Sequence, residues 1–263
     1  MKHFIIILIN AFNILSAQEL INYKKIDGKI YYFDNEPLQN VDIKTFRELK
    51  NPTSFKYYSV AGIDKNAIYL YNRRINFTNA HKIREIAAFN HGDCLYIFEY
   101  NNKIYKLEDG PEIKGLNIPS KLNVKKLKPY KPEDFTLYPV YFSDGKNIYY
   151  FDIRKYNFIP LKGLNPKKFK AFDLNHKGEY YWGTDGKIVY FQNFQVKDAD
   201  PKTFECLGGG YCKDKNKVYF VLWNRIEIIK EADPLTFELV RGREIDAVDK
   251  NYRYYNGKIV GKR

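Results

Sequence analysis

The sequence predicts an all-β repeat protein, and three observations carry that prediction. A turn followed by a short aromatic strand recurs seven times, a short capped turn precedes several of these strands, and aromatic residues make up 17% of the chain. The turn signals begin at residues 27, 64, 101, 144, 185, 214 and 249. A spacing of about 30 to 45 residues is typical of repeat architectures. We expect a repeat meander of about seven units, β-propeller-like, with a linear β-solenoid or two stacked β-repeat domains as the alternatives.

Residues 198–220 show the repeat most fully. Asp200 followed by Pro201 predicts a short capped turn, because Asp accepts hydrogen bonds from unpaired N–H groups and Pro suits the first position after it. An extended run then reaches the glycines 208–210, and the turn 214–217 precedes the β-branched and aromatic strand 218–220. Each unit therefore consists of a capped turn, a strand, a hairpin, a second strand, a tight turn and a third strand. Related capped turns occur at 42–46, 165–169 and 233–237.

Two stretches carry a resemblance to a known family. DKNKVYF (214–220) and DKNYRYY (249–255) resemble the DKNYY family of bacterial repeat proteins, and the preceding ADPKTF and ADPLTF are similar to its linking motif. The resemblance is good over the last hundred residues and at 42–70. It is degenerate between 75 and 165, where His81, Lys82 and Ile83 replace the Thr-Phe step. The resemblance implies a repeat architecture and supplies no catalytic residue, since the family carries no assigned activity.

The recurrent aspartates are interpreted as structural. A residue that returns in each unit is more often part of the turn than of a catalytic site, and Asp can bond its own backbone two residues on. A calcium site is the weaker interpretation, because the turns lack the dense D-x-D-x-D pattern of a calcium loop. These residues are Asp64, Asp144, Asp185, Asp214 and Asp249.

The N-terminus predicts export. Lys2 and His3 precede an apolar segment, 4–15, and small residues stand before Gln18. This segment is too short for a membrane span and is typical of a secretory signal. We expect a signal peptide over 1–17, cleaved after Ala17, and a DKNYY-type β-repeat domain over 18–263. The mature chain is expected to have no transmembrane segment and to be periplasmic or secreted.

The charge favours anionic partners. The chain carries 44 Lys and Arg against 31 Asp and Glu, a net charge of +13, and loss of Lys2 with the signal peptide lowers it to +12. Such a charge attracts acidic glycans, cell-wall polymers or lipid headgroups, and a protein partner is also open. The interpretation that we favour for the charge itself is a solvated basic surface. Export and the lack of a binding motif argue against nucleic acid.

The densest basic stretch is a candidate patch for an anionic ligand. It contains Lys121, Lys125, Lys126, Lys128 and Lys131. The alternative, which we favour from the sequence, is a solvated insertion between two units. In that interpretation a degenerate capped turn begins earlier, at 116–117.

Three cysteines allow one disulfide. Cys206 and Cys212 flank five residues across a predicted hairpin, and in an oxidising compartment they could pair. Spacing alone leaves the reduced form equally open. Cys94 would remain, as a small buried apolar side chain.

The remaining motifs point to no reaction. His91, Gly92, Asp93 and Cys94 resemble catalytic or metal-binding chemistry, but the corresponding segment 175–178 has a His and no Cys, and such residues suit a tight turn. The glycines 208–210 lack the Lys-Ser/Thr step of a phosphate loop, and no zinc spacing occurs. We expect no catalytic residue, metal or cofactor.

The sequence therefore predicts an exported, non-catalytic binding or interaction module of unknown ligand. One alternative is a binder of an anionic cell-surface polymer or lipid that uses the lysine stretch and exposed tyrosines. The other is a glycan-active enzyme with carboxylates at the centre of the repeats.

Overall fold

The computed structural model describes residues 23–33, 36–49, 61–91, 93–108, 112–130, 140–172, 182–222, 225–240, 242 and 244–263. The predicted signal peptide lies outside these ranges. The described residues form short strands and two 3-10 helices, Ala80–Lys82 and Val124–Lys126, and contain no α-helix. The prediction of an all-β repeat meander is therefore confirmed.

The strands form seven antiparallel sheets, numbered here in chain order, and each strand pairs with the next one along the chain. Sheet 1 is β1 (Tyr23–Ile26) and β2 (Lys29–Tyr32); sheet 2 is β3 (Arg47–Glu48), β4 (Ala61–Ile63), β5 (Ala67–Leu70) and β6 (Arg73–Asn76); sheet 3 is β7 (Arg84–His91), β8 (Asp93–Tyr100), β9 (Lys103–Leu107) and β10 (Ile113–Gly115); sheet 4 is β11 (Lys128–Pro129), β12 (Tyr141–Ser143), β13 (Ile148–Asp152) and β14 (Asn157–Leu161); sheet 5 is β15 (Lys170–Phe172), β16 (Trp182–Thr184), β17 (Val189–Phe191) and β18 (Phe194–Gln195); sheet 6 is β19 (Glu205–Gly208), β20 (Tyr211–Lys213), β21 (Val218–Leu222) and β22 (Arg225–Ile229); sheet 7 is β23 (Glu238–Leu239), β24 (Ala247–Val248), β25 (Tyr252–Tyr255) and β26 (Lys258–Lys262).

The chain divides into two compact units. The first contains residues 1–50 and 56–82 and includes sheets 1 and 2, and the second contains 51–55 and 83–263 and includes sheets 3 to 7. Closure of the repeats into a ring stays a prediction, and so does a single repeat domain over 18–263.

The first unit is held by an aromatic core between sheets 1 and 2. The ring of Tyr23 lies 5.1 Å from that of Tyr32 and 5.3 Å from that of Phe46, in tilted and edge-on arrangements that aromatic pairs prefer. The Tyr23 hydroxyl donates to the backbone carbonyl of Tyr71 at 2.9 Å. Packing and hydrogen bonding thus tie β1 to the third strand of sheet 2.

In the second unit each sheet packs on its neighbours, and sheets 4, 5 and 6 do so through both faces of their central strands. The residues of β13 and β21 are therefore almost all buried, in place of the alternating pattern of a half-exposed sheet. Four separate core clusters join sheet 3 to 4, 4 to 5, 5 to 6 and 6 to 7. They are centred respectively on Phe89 and Phe151, on Tyr141 and Tyr190, on Trp182 and Tyr219, and on Tyr211 and Tyr254.

Sheet 7 differs from the others on one face. In sheet 6 the face that packs on the following sheet carries Val218, which is fully buried, and Phe220, which is 5% exposed. The corresponding residues of sheet 7 are Arg253, which is exposed, and Tyr255, which is 41% exposed. One face of sheet 7 therefore packs on sheet 6, and the other face carries the exposed Arg253 and Tyr255.

Candidate functional site

The five recurrent aspartates lie at the turn between the second and third strands of sheets 2, 4, 5, 6 and 7. All five are at most 5% exposed. In sheet 6, Oδ1 of Asp214 accepts hydrogen bonds from the N–H groups of Asn216 at 2.7 Å and Lys217 at 2.8 Å. The same two bonds, from residues two and three positions on, form in the other four sheets. The interpretation of these residues as structural turn aspartates is confirmed.

The second carboxylate oxygen reaches further along the chain. Oδ2 of Asp214 accepts from the N–H of Asp200, the first residue of the capped turn, and from the hydroxyl of Tyr219, each at 2.8 Å. The first bond recurs in all five sheets, and the second recurs everywhere except sheet 5, where the Tyr190 hydroxyl donates to the carbonyl of Lys162. Each carboxylate thus joins its own turn to the capped turn, and outside sheet 5 it also binds a strand tyrosine. We name these residues the hub aspartates.

The hydrogen bonds lower the pKa values of the hub aspartates Asp144, Asp185 and Asp249 and keep these three carboxylates ionised. Burial by itself raises the pKa of Asp144, but the backbone N–H groups of Asn123, Asn147 and Lys146 outweigh it and lower the pKa to about 2. The pKa values of Asp185 and Asp249 are also lowered, since burial is again outweighed by bonds from backbone N–H groups. An ionised carboxylate with four donors around it stabilises its turn and is poorly suited to transfer protons.

Two of the seven predicted turn signals prove to be a different structure. Asp27 and Gly28 form the two-residue hairpin between β1 and β2, with φ of +46° and +70°. Asn101 and Asn102 do the same between β8 and β9, with φ of +50° and +61°. Asp-Gly and Asn residues accept such positive φ angles at low cost, so the same residue types support both kinds of turn.

In sheets 2, 6 and 7 the capped turn begins with Asp, and its charge is paired. Lys215, which follows the hub aspartate of sheet 6, places its ammonium 2.9 Å from the carboxylate of Asp200. Thr203 of the same capped turn accepts a hydrogen bond from the Lys215 N–H at 3.2 Å. Equivalent ion pairs join Lys65 to Asp42 and Lys250 to Asp233.

In sheets 4 and 5 both partners of this ion pair are replaced. The capped turns begin with Asn123 and Asn165, and glycine follows the hub aspartate, at Gly145 and Gly186, with φ of +87° and +82°. The glycine N–H groups donate instead to the hydroxyls of Ser143 and Thr184. Lysine still occurs at these turns but has lost its carboxylate partner.

The exposed lysines of these turns form a surface that we name the lysine edge. Its members are Lys125, Lys126, Lys146, Lys167, Lys168 and Lys187. None of the six is ion-paired to another residue of the described ranges. The carboxyl end of β14, at Leu161, is four residues from Asn165, and the Tyr130 hydroxyl of sheet 4 donates to the Pro166 carbonyl at 2.8 Å. These connections bring the turns of sheets 4 and 5 together.

The structure places most of the predicted lysine patch beside this edge. Lys121, Lys125, Lys126 and Lys128 are exposed, and Lys131 lies outside the described residues. Lys146, Lys167, Lys168 and Lys187 were missed from the sequence. The signal that could have found them is the joint change, in the same two units, from Asp to Asn in the capped turn and from Lys to Gly after the hub.

The interpretation of the lysine stretch as a solvated insertion is wrong. Leu122, Val124 and Leu127 are buried and pack in the core between sheets 3 and 4. The N–H of Asn123 donates to Oδ2 of the hub Asp144 at 3.1 Å, so the capped turn begins here and not at 116–117. The segment is therefore part of the repeat, although exposed lysines separate its buried apolar residues in the sequence.

The cysteine pair lies at directly opposite positions of β19 and β20. A disulfide joins Cys206 to Cys212, whose Cα atoms are 3.8 Å apart. Asn90 pairs with Cys94 and His91 with Asp93 at the end of the predicted hairpin between β7 and β8. Gly92, the side chains of His91 and Cys94 and the corresponding segment 175–178 lie outside the described residues.

No group of three or more His, Cys, Asp or Glu side chains in the described ranges is arranged to hold a metal ion. None of the helices in the described part of the chain has the length and apolar character required to cross a membrane.

Comparison with known proteins identifies one similarity. The model of the DKNYY family matches residues 23–182 and 180–222. No curated protein and no solved structure matches the chain significantly.

Proposed function

Since the chain belongs to the DKNYY family of repeat proteins, we propose that it is an exported, non-catalytic binding module whose ligand is an anionic polymer of the cell surface. One observation carries this proposal. The recurrent carboxylates are buried in hydrogen bonds within their own sheets, whereas the six lysines of the lysine edge are exposed and have no carboxylate partner in the described ranges.

The hub aspartates also bear on the enzyme alternative. A glycan-active enzyme needs two carboxyl groups that approach one glycosidic bond from opposite sides. The hub aspartates belong to five different sheets, and each is occupied by bonds to its own turn and to its own capped turn. The repeated carboxylates therefore support a structural role, and binding is the function that the remaining exposed charges favour.

The net charge supports an anionic ligand. The expected mature chain carries +12, and a field of this sign raises the local concentration and the association rate of polyanions. Both effects decrease steeply with ionic strength, because the Debye length falls from about 10 Å at 0.1 M salt to about 3 Å at 1 M.

Binding of the mature chain, starting at Gln18, should be measured with poly-L-glutamate, dextran sulfate and neutral dextran, each at 50 and 200 mM salt. We expect both acidic polymers to bind, with affinity decreasing by at least about tenfold over this range, and neutral dextran not to bind. Absence of binding to both acidic polymers at 50 mM salt would contradict the proposal, as would equal, salt-independent binding of neutral dextran. Export itself is tested by cell fractionation and by sequencing the mature N-terminus.

A further inference from the structure

We infer that the ligand binds along the lysine edge of sheets 4 and 5, and that it is a linear polyanion whose charged groups recur along its chain. This inference rests on the proposed function and specifies both the site and the class of ligand. It follows from the charge, the rigidity and the extent of the edge, and from the side chains that are absent from it.

The charge of the turns differs sharply between neighbouring sheets. The four-residue capped turns and hub turns of sheets 6 and 7 (200–203, 214–217, 233–236 and 249–252) contain four lysines and four aspartates, so they are neutral overall. The corresponding segments of sheets 4 and 5 (123–126, 144–147, 165–168 and 185–188) contain six lysines and two aspartates, an excess of four positive charges. Lys121 lies next to them and adds a fifth. The positive potential is therefore concentrated on sheets 4 and 5.

The backbone that carries these lysines is fixed. The N–H groups of Lys146 and Lys187 each donate to Oδ1 of a hub aspartate at 2.9 Å, and the N–H of Lys167 donates to Oδ1 of Asn165 at 3.0 Å. The ammonium groups thus project from anchored turns, and only the side chains have to be ordered when a ligand binds. Such preorganisation lowers the entropic cost of association.

The extent of the edge favours a polymer over a small anion. The lysines come from four turns of two sheets, and packed sheets lie about 10 Å apart. A single phosphate or carboxylate carries too little charge to pair with all six lysines, whereas a chain with successive anionic groups can pair with the lysines of both sheets. All six cations are lysines, which bind as point charges and do not impose the two-pronged geometry of arginine. We therefore expect many loose contacts and little discrimination between carboxylate, sulfate and phosphate.

The same edge is poorly suited to a lipid surface. Proteins that bind at the membrane interface combine cations with apolar side chains that enter the acyl boundary. Among the described residues of sheets 4 and 5, the one large apolar side chain that is strongly exposed is Phe194, at the turn between the third and fourth strands. That turn is at the opposite end of the sheet from the lysine edge, because successive strands are antiparallel.

The test uses two triple variants of equal charge change. Lys146→Gln, Lys167→Gln and Lys187→Gln remove three cations from the edge. The matched control, Arg154→Gln with Lys155→Gln and Lys258→Gln, removes three exposed cations from the turns at the opposite ends of sheets 4 and 7. Both leave the backbone hydrogen bonds of the turns in place, and equal thermal midpoints by circular dichroism verify that each variant is folded.

We expect the edge variant to weaken binding of poly-L-glutamate at 50 mM salt by at least about tenfold and to reduce the slope of log Kd against log salt by about 3, one for each lysine. The control variant should change Kd by less than about twofold. Monomeric glutamate at the same carboxylate concentration should not compete.

Each other outcome overturns a definite part of the argument. Equal weakening by the two triple variants would refute the site while leaving the proposed function intact, since only the net charge would matter. Competition by monomeric glutamate would refute the polymeric ligand. Binding to anionic vesicles without binding to either acidic polymer would replace the polymer by a lipid surface. If the unmodified chain binds no polyanion, the proposed function fails together with this inference.

Discussion

Replacement of Asp144 by Ala should destabilise sheet 4 far more than replacement of an ordinary turn aspartate. The Asp144 carboxylate accepts bonds from the N–H groups of Lys146 at 2.9 Å, Asn147 at 2.8 Å and Asn123 at 3.1 Å, and from the Tyr149 hydroxyl at 2.9 Å. The first two donors belong to the turn that Asp144 itself begins. The last two connect separate segments, and a hydrogen bond to a charged group contributes about 1.5 to 3 kcal/mol, so we expect a loss of about 3 to 6 kcal/mol.

Two further variants calibrate that value. Asp152→Ala removes a partly exposed carboxylate that, among the described residues, accepts only from the N–H groups of Arg154 and Lys155, at 3.0 and 3.3 Å. Its cost should stay below about 1 kcal/mol. Tyr149→Phe removes one donor of the four and should cost about 1 to 2 kcal/mol. Urea unfolding followed by circular dichroism, with hydrogen exchange to localise the loss, measures all three variants.

The pH dependence of the same site has a definite sign. The pKa of Asp144 is about 2 in the folded chain and 3.8 when unperturbed, so the carboxylate stabilises the fold above pH 3.8, and this contribution is lost as the pH falls towards 2. The difference corresponds to roughly 2 kcal/mol. The gap in stability between the original chain and Asp144→Ala should therefore narrow by about that amount between pH 7 and pH 2. A gap that does not change with pH, or equal urea midpoints for Asp144→Ala and Asp152→Ala, would refute the role of the hub.

Two other features make independent predictions. The disulfide between Cys206 and Cys212 closes a short loop with a sequence separation of 6, so replacing both residues by Ala should lower the free energy of unfolding by about 2 kcal/mol. Thiol titration of the unfolded, unreduced chain should find one free thiol, and three free thiols would show that the bond does not form. A Cβ atom at Gly183 would lie 2.3 Å from the ring of Phe169, so Gly183→Ala should cost about 1 to 3 kcal/mol, partly restored by adding Phe169→Leu. The matched control is Gly115→Ala, where the atom nearest to the new Cβ would be 3.9 Å away, and its free energy of unfolding should change by less than about 0.5 kcal/mol. Equal losses of stability at the two glycines would contradict the packing argument.

The turn chemistry was predictable from the sequence because it is local. An Asp that bonds the backbone two and three residues on needs no distant partner, and the aspartates were identified on that basis. The bonds that the second carboxylate oxygen of each hub aspartate accepts from the capped turn were not predictable. The bond from Asp200 to Asp214 spans 14 residues and that from Asp42 to Asp64 spans 22, so each depends on a strand register that residue types alone do not give.

The lysine edge was also only partly predictable from the sequence. Its first members were visible as a dense run at 121–128, but the buried Leu122, Val124 and Leu127 are separated by lysines and resemble a loop when read alone. The other members come from three turns that only the pairing of β13 with β14 and the packing of sheet 4 on sheet 5 bring alongside. The sequence signal that marks these two units is the joint change from Asp to Asn in the capped turn and from Lys to Gly after the hub aspartate.

The face of sheet 7 that carries Arg253 and Tyr255 restricts where a further unit can be added. A unit duplicated directly after sheet 7 would have to pack on Arg253 and Tyr255, and burial of an unpaired guanidinium opposes that docking. A copy of sheet 6 inserted before sheet 7 would instead present Val218 and Phe220, to which sheet 7 is already fitted. Variation in unit number, whether by gene duplication or by design, is therefore expected before sheet 7, where the face that sheet 7 requires is kept.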